Sequence, residues 1–558
     1  MPDESQLDSP RRRPGHLADG PYWPVGVIAL AALFLALPML IYGPMPAGHD
    51  AFEQLNFTRH FAEQFWHGDL SPHWLLNMNH GLGSPTFFVY PPLAAYAYSL
   101  LAPAGEALHF SAFNLAAFLA LFGSGVAAFL WIRTMASKRV SLAVAVLYML
   151  MPYHLAADFY RRTALPEIWA FVWMPLVLYF ATQVANEKRA VAGLATAYGL
   201  LLLSHPGAAL ILAVIPLLPA LILAAPGRRL RSALLVGGGI LLGIGLASFY
   251  FLPALYHSRY FPVSELRLPL SDNLVPLGRS LLQGNGFIRV LSLTAAGMLA
   301  FTAICALAAF SNAGLVQRKQ MVLWLSLCVL SALLMSRFSA PFWKRLPWLL
   351  DAVQFPWRLN LLLCIAALPL AAVFLSQISR PLGFWRTSSL AFTVLLVATW
   401  LFLYGNAVKD YSDTTPFTHD PVNEADGWFA AWKAPGTDSV PALQASMEPR
   451  ARFVSGQGAA QVLLWKPRLV EVETASSFGG FVMVNQFYYP EWKAQVIGEA
   501  RPLAIEAALP QGLLAVQVPP GDEKVVIEIP VSRAEHVGRW LSSLSLLVCV
   551  ALVWHGRR

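Results

Sequence analysis

Residues 107–132 read ALHFSAFNLAAFLALFGSGVAAFLWI and contain no Asp, Glu, Lys or Arg. A helix of about 20 apolar residues crosses the hydrocarbon core of a bilayer, and this stretch satisfies that requirement. Similar runs recur along the chain, so the sequence predicts about twelve membrane-spanning segments. They are residues 24–42, 107–132, 140–157, 167–185, 190–204, 207–225, 232–256, 286–311, 321–336, 359–377, 389–407 and 537–556.

The composition indicates the same class, a polytopic α-helical membrane protein. Apolar residues make up 57% of the chain and charged residues only 13%, with a mean hydropathy of +0.54. A chain with this balance does not fold in water alone. All four cysteines lie in predicted spans, so we expect them to pack as small apolar residues and to form no exported disulfide. They are Cys305, Cys328, Cys364 and Cys549.

Basic residues predict the orientation, because short loops rich in Lys and Arg remain on the cytoplasmic side of a membrane. When all twelve spans are accepted, the basic clusters occupy every second loop. Both termini are then cytoplasmic and the large loops face outward. The net charge of +8 follows from these loops facing the anionic inner leaflet. No basic stripe with interleaved aromatic residues points to nucleic acid.

The predicted organisation has four parts. Residues 1–22 form a cytoplasmic N-terminal tail, and residues 23–407 form a transmembrane domain whose first outer loop is 43–105. Residues 408–535 form an extracytoplasmic β-rich domain, and residues 536–558 form the last span and a cytoplasmic tail. The first apolar run is too long for a signal-peptide core and lacks a convincing cleavage site, so we expect it to be retained.

Residues 408–535 show the alternating hydrophobicity that predicts strands. The segments concerned are QVLLW, LVEVETA, FVMVN, WKAQVIG, LLAVQV and KVVIEIP. Turn signals at Pro490, at Gly498 and within residues 510–512 and 519–522 separate them. We expect a small β-sandwich or β-barrel.

The first outer loop carries the strongest functional signal. It begins GPMPAGHDAFEQ and contains NHGLGSPTFFVYPPLAAY, and Asp50 follows the first span almost at once. An acidic residue in that place is costly to hold at a membrane surface unless it has a function. The aromatic run, with His80 and Tyr90, predicts substrate contacts. Gly81, Gly83 and Pro85 indicate a sharply shaped segment that is re-entrant or lies at the interface, and such a segment is tolerated at membrane depth only if it lines a cavity.

Five histidines also concentrate in this loop: His49, His60, His67, His73 and His80. A zinc site needs about three convergent ligands, whereas no pair here has i, i+4 spacing on a demonstrable helix with a supporting acid. Both a metal site and ordinary interfacial histidines fit the pattern. The sequence therefore requires no cofactor and leaves dependence on a divalent metal open.

Three stretches carry a resemblance to a known family. They are the first outer loop with Asp50, DAVQFPWRLN at residues 351–360, and FVMVNQFYYPEWKAQVIGEARPL at 481–503, followed by LLAVQVPPGDEKVVIEI and a last helix. In them the chain resembles the YfhO-type, "6-pyruvoyl-tetrahydropterin synthase-related", bacterial membrane proteins, a group that resembles the GT-C glycosyltransferases. The turn after YYPEWKAQV reads Ile-Gly-Glu where that family more often has Asp-Gly-Lys. The pterin-synthase label implies no chemistry here.

The resemblance implies a GT-C-type enzyme, a hexosyl- or pentosyltransferase that also contacts membrane lipids. Such an enzyme moves a sugar from a polyprenyl-phosphate donor to an extracytoplasmic glycan or lipid acceptor. A carboxylate must accept the proton of the acceptor hydroxyl, and cationic groups must stabilise the departing phosphate. The resemblance and its position assign Asp50 the role of base. A single direct displacement would invert the anomeric centre, because no second carboxylate is clearly placed to form a covalent intermediate.

Charged residues in two outer segments are candidates for binding substrate. Glu53, one helical turn after Asp50, is either an assistant to it or a solvated helix acid. In DFYRRTALPEIWA, residues 158–170, two acids flank two arginines, which predicts either a phosphate clamp or a self-neutralising ion-pair cluster. These residues are Asp158, Arg161, Arg162 and Glu167. By resemblance, either acid could hold the acceptor or tune Asp50.

Two further candidates lie at predicted helix ends. His205, in LLLSHPGAA, either binds the phosphate or caps a helix. Arg358, in QFPWRLN, either directs its planar donor fork at a lipid phosphate or extends to the headgroups.

Two other functions remain open at this stage. A transporter or flippase of a lipid-linked saccharide would commonly show paired broken helices and ionisable groups at the bilayer midplane, whereas the polar residues here crowd the outer ends of the spans. A non-catalytic partner in polysaccharide assembly would leave Asp50 dispensable and the β domain essential.

Overall fold

The computed structural model of the protein describes residues 22–43, 49–261, 269–275, 286–377, 401, 405, 449–499, 501–509 and 512–556. Helices occupy the chain up to residue 377, and strands followed by one long helix occupy it from residue 451. The predicted N-terminal tail and residues 408–448 of the predicted β region lie outside the described residues. So does the predicted span 389–407, apart from Leu401 and Gly405.

The first half of the chain is a helical bundle interrupted by one π-helix, Tyr153–Arg162. Its α-helices are α1 (Trp23–Tyr42), α2 (Ala51–Trp66), α3 (Met78–Gly81), α4 (Leu93–Leu108), α5 (Ala112–Ile132), α6 (Lys138–Leu150), α7 (Leu165–Gln183), α8 (Lys188–Ser204), α9 (Pro206–Ile211), α10 (Leu217–Ile222), α11 (Arg229–Leu246) and α12 (Ser248–His257). The remaining helices are α13 (Leu270–Asn273), α14 (Gly286–Phe310), α15 (Leu315–Met335), α16 (Ala340–Arg345), α17 (Pro347–Val353), α18 (Asn360–Gln377) and α19 (Arg533–His555).

Within the described residues, nine helical segments are long and apolar enough to cross a membrane. They are α1, α5, α6 together with the π-helix, α7, α11, α14, α15, α18 with its preceding turn, and α19. This is three fewer than the twelve predicted. Predicted span 190–204 folds as α8 but is shorter than a typical span, 207–225 is broken, and 389–407 falls almost wholly among residues that the structure does not describe.

The break in the predicted span 207–225 separates α9 from α10, two helices of six residues each. Pro216 and Pro219 lie at the start of the second helix, and Pro226 follows its end. Proline lacks the N–H that continues a helix and clashes with the preceding turn. Apolar composition alone therefore overestimated the length of this helix.

The segment predicted as the first outer loop is largely helical in its described residues. It contains α2, α3 and most of α4. The amphipathic α2 buries Phe57 and Phe61, and the ring of Phe61 lies 4.6 Å from that of Phe87. Because its other face is polar, α2 does not form an apolar run in the sequence. The predicted shaped turn at Gly83 is present, and its φ of 82° together with the adjacent Trp74 leaves no room for a side chain.

The C-terminal region contains a β domain of two antiparallel sheets. Its strands are β1 (Ala451–Gly456), β2 (Ala459–Lys466), β3 (Leu469–Ser476), β4 (Gly480–Phe487), β5 (Lys493–Val496), β6 (Pro502–Leu503), β7 (Ile505–Ala508), β8 (Leu513–Val518) and β9 (Gly521–Glu528). One sheet has the order β1-β4-β8-β7 and the other β2-β3-β9-β5-β6. Val484 and Val516 from the first sheet share one apolar core with Val470 and Ile527 from the second, as in a sandwich.

The β domain docks directly onto the segment between α2 and α4. The indole Nε1 of Trp74 donates to Gln486 Oε1 at 2.7 Å, and Gln486 Nε2 donates to the carbonyl of Gly81 at 2.7 Å. The backbone N–H of Phe487 donates to the carbonyl of Leu82, also at 2.7 Å. Residues about 400 positions apart in the chain thus hydrogen-bond to each other where the β domain contacts the helical bundle.

Candidate functional site

The π-helix positions the charged residues of DFYRRTALPEIWA. It follows Pro152 and ends at Thr163, which adopts a left-handed backbone with φ of 55°. In a π-helix each turn contains an extra residue, and such segments occur often at functional sites. Here the arrangement brings Asp158 and Arg162 together, and Glu167, in the first turn of α7, completes the group.

Asp50 is held against the end of the same π-helix. Its backbone N–H donates to the carbonyl of Arg162 at 3.0 Å, and the N–H of His49 donates to the carbonyl of Arg161 at 3.4 Å. Asp50 also precedes the first residue of α2 as its N-cap. These two backbone hydrogen bonds hold the start of α2 against the end of the π-helix and so place Asp50 at that junction.

The guanidinium of Arg162 binds three carboxylates. Its Nη2 lies 3.0 Å from Asp50 Oδ2, and its Nη1 lies 2.6 Å from both Asp158 Oδ1 and Glu167 Oε2. The face of Trp357 lies 5.1 Å from the guanidinium carbon, a cation–π distance. The sequence left two interpretations of these charges, a phosphate clamp and a self-neutralising ion-pair cluster. Arg162 fits the second, because both of its terminal nitrogens pair with acids.

The ion cluster is almost entirely buried. Asp158 is 0% and Glu167 1% exposed, whereas the side chain of Asp50 is 30% exposed. Tyr153, which the sequence analysis did not single out, donates its hydroxyl hydrogen to Glu167 Oε1 at 2.7 Å. Asp50 is therefore the acid of the cluster that solvent or a substrate can reach.

His205 acts as a helix cap and also faces the cluster. Its Nδ1 accepts the backbone N–H of Ala208 at 2.9 Å at the start of α9, and its Nε2 lies 3.7 Å from Glu167 Oε2. Burial lowers the pKa of His205 to about 3, so the ring is neutral at neutral pH. Because Nδ1 is an acceptor, Nε2 carries the hydrogen and directs it toward Glu167.

Arg358 provides a second guanidinium, beside Glu167. Its Nε lies 3.5 Å from Glu167 Oε2, and its Nη1 donates to the carbonyl of Val353 at 3.1 Å and to Gln354 Oε1 at 2.7 Å. No described residue accepts a hydrogen bond from its Nη2. Arg358 thus retains donor capacity that Arg162 has lost.

These groups surround a cavity of about 290 Å³. Asp50, Arg162, Glu167, His205 and Arg358 all line it. Oδ1 of Asp50 has no hydrogen-bond partner among the described residues. A carboxylate oxygen and a guanidinium donor are therefore both available within one cavity.

Tyr90 also lines this cavity, as the sequence analysis expects of a substrate contact. Its hydroxyl oxygen accepts a hydrogen bond from Nε2 of Gln54, on α2. Burial raises the pKa of Tyr90, so the phenol is neutral.

Four predicted residues do not line the cavity in the part of the chain that the structure describes: Glu53, His80, Asp158 and Arg161. Asp158 binds Arg162 from within the bundle, and Arg161 contributes its carbonyl to the contact with His49. His80 lies in α3 with a φ of 58°. Gln354 lines the cavity without having been predicted as a site residue, although it lies within the DAVQFPWRLN motif.

Among the described residues, no group of three or more His, Cys, Asp or Glu side chains is arranged to hold a metal ion. Three of the clustered histidines have local contacts. His67 and His73 bond to the backbone carbonyls of Glu63 and Ser71, each at 2.7 Å, and His60 lies 3.7 Å from the Glu63 carboxylate.

Comparison with known proteins assigns the family. Residues 87–409 match the sequence model described as "6-pyruvoyl-tetrahydropterin synthase related domain; membrane protein". The chain belongs to this family. The family predicted from the three sequence stretches is thereby confirmed, and the protein is a membrane protein. Asp50 and the β domain lie outside the matched range.

Solved structures similar to this chain include two glycosyltransferases. Arabinofuranosyltransferase AftD from Mycobacteria is 16% identical with a TM-score of 0.43, and the alignment covers 70% of this chain and 27% of AftD. The Archaeoglobus fulgidus oligosaccharyltransferase in its apo form is 14% identical with a TM-score of 0.45, and 71% of this chain and 57% of that chain are covered. The chain thus spans only part of the length of these proteins. No curated protein matches the sequence.

Proposed function

We propose that the protein is an integral membrane glycosyltransferase of GT-C type. It transfers a sugar from a polyprenyl-phosphate donor to an extracytoplasmic glycan or lipid, and Asp50 is the general base. The observation that supports this proposal best is the environment of Asp50. One carboxylate oxygen is fixed by Arg162 and the other is open to a cavity that also contains Arg358.

The two oxygens of Asp50 have different roles in this proposal. The ion pair between Oδ2 and Arg162 orients the carboxylate. Oδ1 accepts the proton of the acceptor hydroxyl as that oxygen bonds to the anomeric carbon. Because the base acts on the acceptor in one displacement, the anomeric configuration is inverted.

The leaving phosphate requires a cation that is not already neutralised. Arg162 binds three carboxylates, so its capacity for a further anion is small. Among the described residues, Arg358 forms an ion pair with Glu167 alone, and neither its Nε nor its Nη2 has a hydrogen-bond acceptor. We therefore assign the phosphate to Arg358, with Tyr90 as a neutral donor at the same cavity.

The location of the site follows from the orientation predicted by the basic loops. With both termini in the cytoplasm of a bacterial inner membrane, the junction of α1 and α2 faces outward, and so does the β domain that docks beside it. A polyprenyl-linked sugar would reach the cavity from the outer leaflet. The acceptor glycan or lipid would approach from the side of the β domain.

The test compares lipid-linked sugars and envelope glycans in cells that produce the wild type, Asp50→Asn, Glu63→Gln or no protein. Glu63 is a matched control because it is an exposed acid of the same helix, α2, and does not line the cavity. Membrane levels of each variant are measured by immunoblotting. We expect Asp50→Asn to match the deletion and to accumulate a lipid-linked sugar, while Glu63→Gln behaves as wild type.

A wild-type phenotype of Asp50→Asn at normal membrane level would refute the catalytic role of Asp50. The transporter and assembly-partner alternatives would then account better for the protein. A transporter would accumulate its lipid-linked saccharide on the cytoplasmic face, which impermeant labelling of the lipid can distinguish.

A further inference from the structure

A second cavity lies at the opposite end of the helical bundle. Helix α7 contains Glu167, in the Asp50 site, and ends at Gln183, which lines this second cavity. Sixteen residues of α-helix span about 24 Å at 1.5 Å per residue. The cavity measures about 530 Å³ and shares no lining residue with the first.

The broken span between α9 and α10 helps to shape this cavity. Pro216, Pro219 and Ala220 form part of its wall. The next two residues of α10, Leu221 and Ile222, are 44% and 40% exposed and face away from the protein. A single short helix thus separates the cavity from the surrounding lipid at this position.

The cavity is positive and contains no acid among its described lining residues. Arg228 carries the one formal charge in that lining, and no described residue forms an ion pair with it. Arg228 is also the N-cap position of α11, where no side chain caps the helix. The positive end of the helix dipole and the guanidinium therefore act together on the same space.

A buried serine supplies an independent indication of a ligand. Ser232, in the first turns of α11, is 4% exposed and lines the cavity. Its hydroxyl oxygen has no hydrogen-bond partner among the described residues. Burying a hydroxyl without a hydrogen-bond partner is unfavourable, and a ligand oxygen in the cavity would remove this cost.

We propose that this cavity binds the phosphate of a membrane lipid headgroup. The phosphate would lie between Arg228, Ser232 and the N-terminus of α11. Leu178, Leu223 and Trp324 give the cavity an apolar wall for the start of an acyl chain. Basic pockets between membrane helices bind lipid phosphates in this manner. The site does not depend on the glycosyltransferase proposal.

The test measures binding of dioleoylphosphatidic acid to the purified full chain in detergent by native mass spectrometry. Dioleoylglycerol, which has the same acyl chains and no phosphate, is the ligand control. We expect Arg228→Gln to weaken phosphatidic acid binding roughly tenfold, and Ser232→Ala to weaken it roughly threefold. Arg231→Gln is the protein control, because Arg231 is a nearby basic residue outside the cavity lining, and we expect its affinity to remain that of the wild type.

Inorganic phosphate, added at millimolar concentration, distinguishes the two sources of the anion. Binding of phosphatidic acid that phosphate does not displace supports a lipid headgroup. If phosphate displaces phosphatidic acid from the wild type but not from Arg228→Gln, the cavity holds free phosphate. That result would overturn the lipid assignment. Equal affinities of Arg228→Gln and Arg231→Gln, or equal binding of dioleoylglycerol, would refute the site as a whole.

Discussion

Arg162 is the residue on which the geometry of the candidate active site depends. It joins Asp50, which precedes α2, to Asp158 in the π-helix and Glu167 in α7. Burying two carboxylates beside one another is unfavourable unless a cation compensates them. The same guanidinium that allows this burial also orients Asp50 toward the cavity. Arg162 therefore both stabilises the buried acids and positions Asp50.

Replacing Arg162 by methionine keeps much of its volume and removes its charge. We expect a loss of stability of about 3–5 kcal/mol, because Asp158 then remains buried without a cationic partner and Glu167 keeps only Arg358 as one. Thermal unfolding of the purified protein in detergent measures the change. The matched control is Arg161→Met at the neighbouring arginine, which makes none of these three ion pairs.

Partial rescue would identify the cause of this loss. In the double variant Arg162→Met with Asp158→Asn, one of the buried charges is removed, so we expect part of the stability to return. Two results would contradict the role assigned to this cluster. One is an Arg162→Met protein with the melting temperature of the wild type, and the other is a double variant less stable than Arg162→Met alone.

The proximity of site residues was predictable from sequence only where one motif contains them. Asp158, Arg162 and Glu167 occur within one stretch of ten residues, so their proximity was expected. Asp50 and Arg358 were selected by position and by resemblance, and their approach to this stretch depends on tertiary packing. Tyr153 and Gln354 carry no signal by residue type, because Tyr and Gln are common at membrane interfaces and in loops.

At the scale of secondary-structure elements, close packing of the last helix depends on a glycine. Gly538 in α19 lies against the start of α12, and a Cβ at this position would overlap the backbone carbonyl of Ser248. In contrast, Gly237 in α11 has no atom within 4 Å of where its Cβ would be. The two positions therefore predict opposite effects for the same substitution.

We expect Gly538→Ala to destabilise the protein by about 1–3 kcal/mol, because a backbone carbonyl cannot move aside without shifting a helix. Gly237→Ala should be neutral or stabilise by up to about 1 kcal/mol, because alanine favours helix more than glycine does. Melting temperatures of the two variants, measured side by side, check both signs. A Gly538→Ala protein as stable as Gly237→Ala would show that α19 does not pack on α12 as described.

The predicted elements were most accurate where hydrophobicity was uniform along the helix. The long apolar helices α1, α5 and α14 lie close to their predicted ranges. The helices within the first outer loop have no such signal, since α2 is amphipathic and has too little apolar sequence to resemble a span. The prediction of a single span was wrong for residues 207–225, since apolar content does not reveal that prolines divide the helix.

At the scale of the whole molecule, an aromatic stack joins the helical bundle to the β domain. The ring of His257, at the end of α12, stacks on Phe88 at 4.1 Å, and its Nδ1 bonds to the hydroxyl of Tyr489 at 2.6 Å. Its Nε2 is buried and has no hydrogen-bond partner among the described residues. A proton added to this nitrogen would create an unpaired charge in the interface.

This interface predicts a specific dependence on pH. Burial lowers the pKa of His257 from 6.5 to about 4, so between these values the unfolded chain binds more protons than the folded one. The free energy of unfolding therefore falls as the pH decreases through this window, by about 1.6 kcal/mol between pH 6.5 and 5.

Thermal unfolding of the wild type and His257→Gln at pH 7.5 and 5.0 tests this prediction. Glutamine retains a hydrogen-bonding group and does not titrate, so we expect a smaller decrease in melting temperature for the variant. Other histidines, among them the buried His73 with its lowered pKa, contribute equally to both proteins. An identical decrease in the two proteins would exclude His257 as the source.

The sequence by itself determined the membrane-spanning helical class, the family, the C-terminal strands and the acids and arginines from which the site is built. Apolar runs, alternating residues and motifs are local properties, and local physics converts them into helices and strands. Only the tertiary structure decided that Asp50 contacts Arg162, that the β domain docks on Trp74 and that a second cavity opens around Ser232. Those contacts join residues up to about 400 positions apart, and their energies depend on burial and geometry that no local stretch of sequence contains.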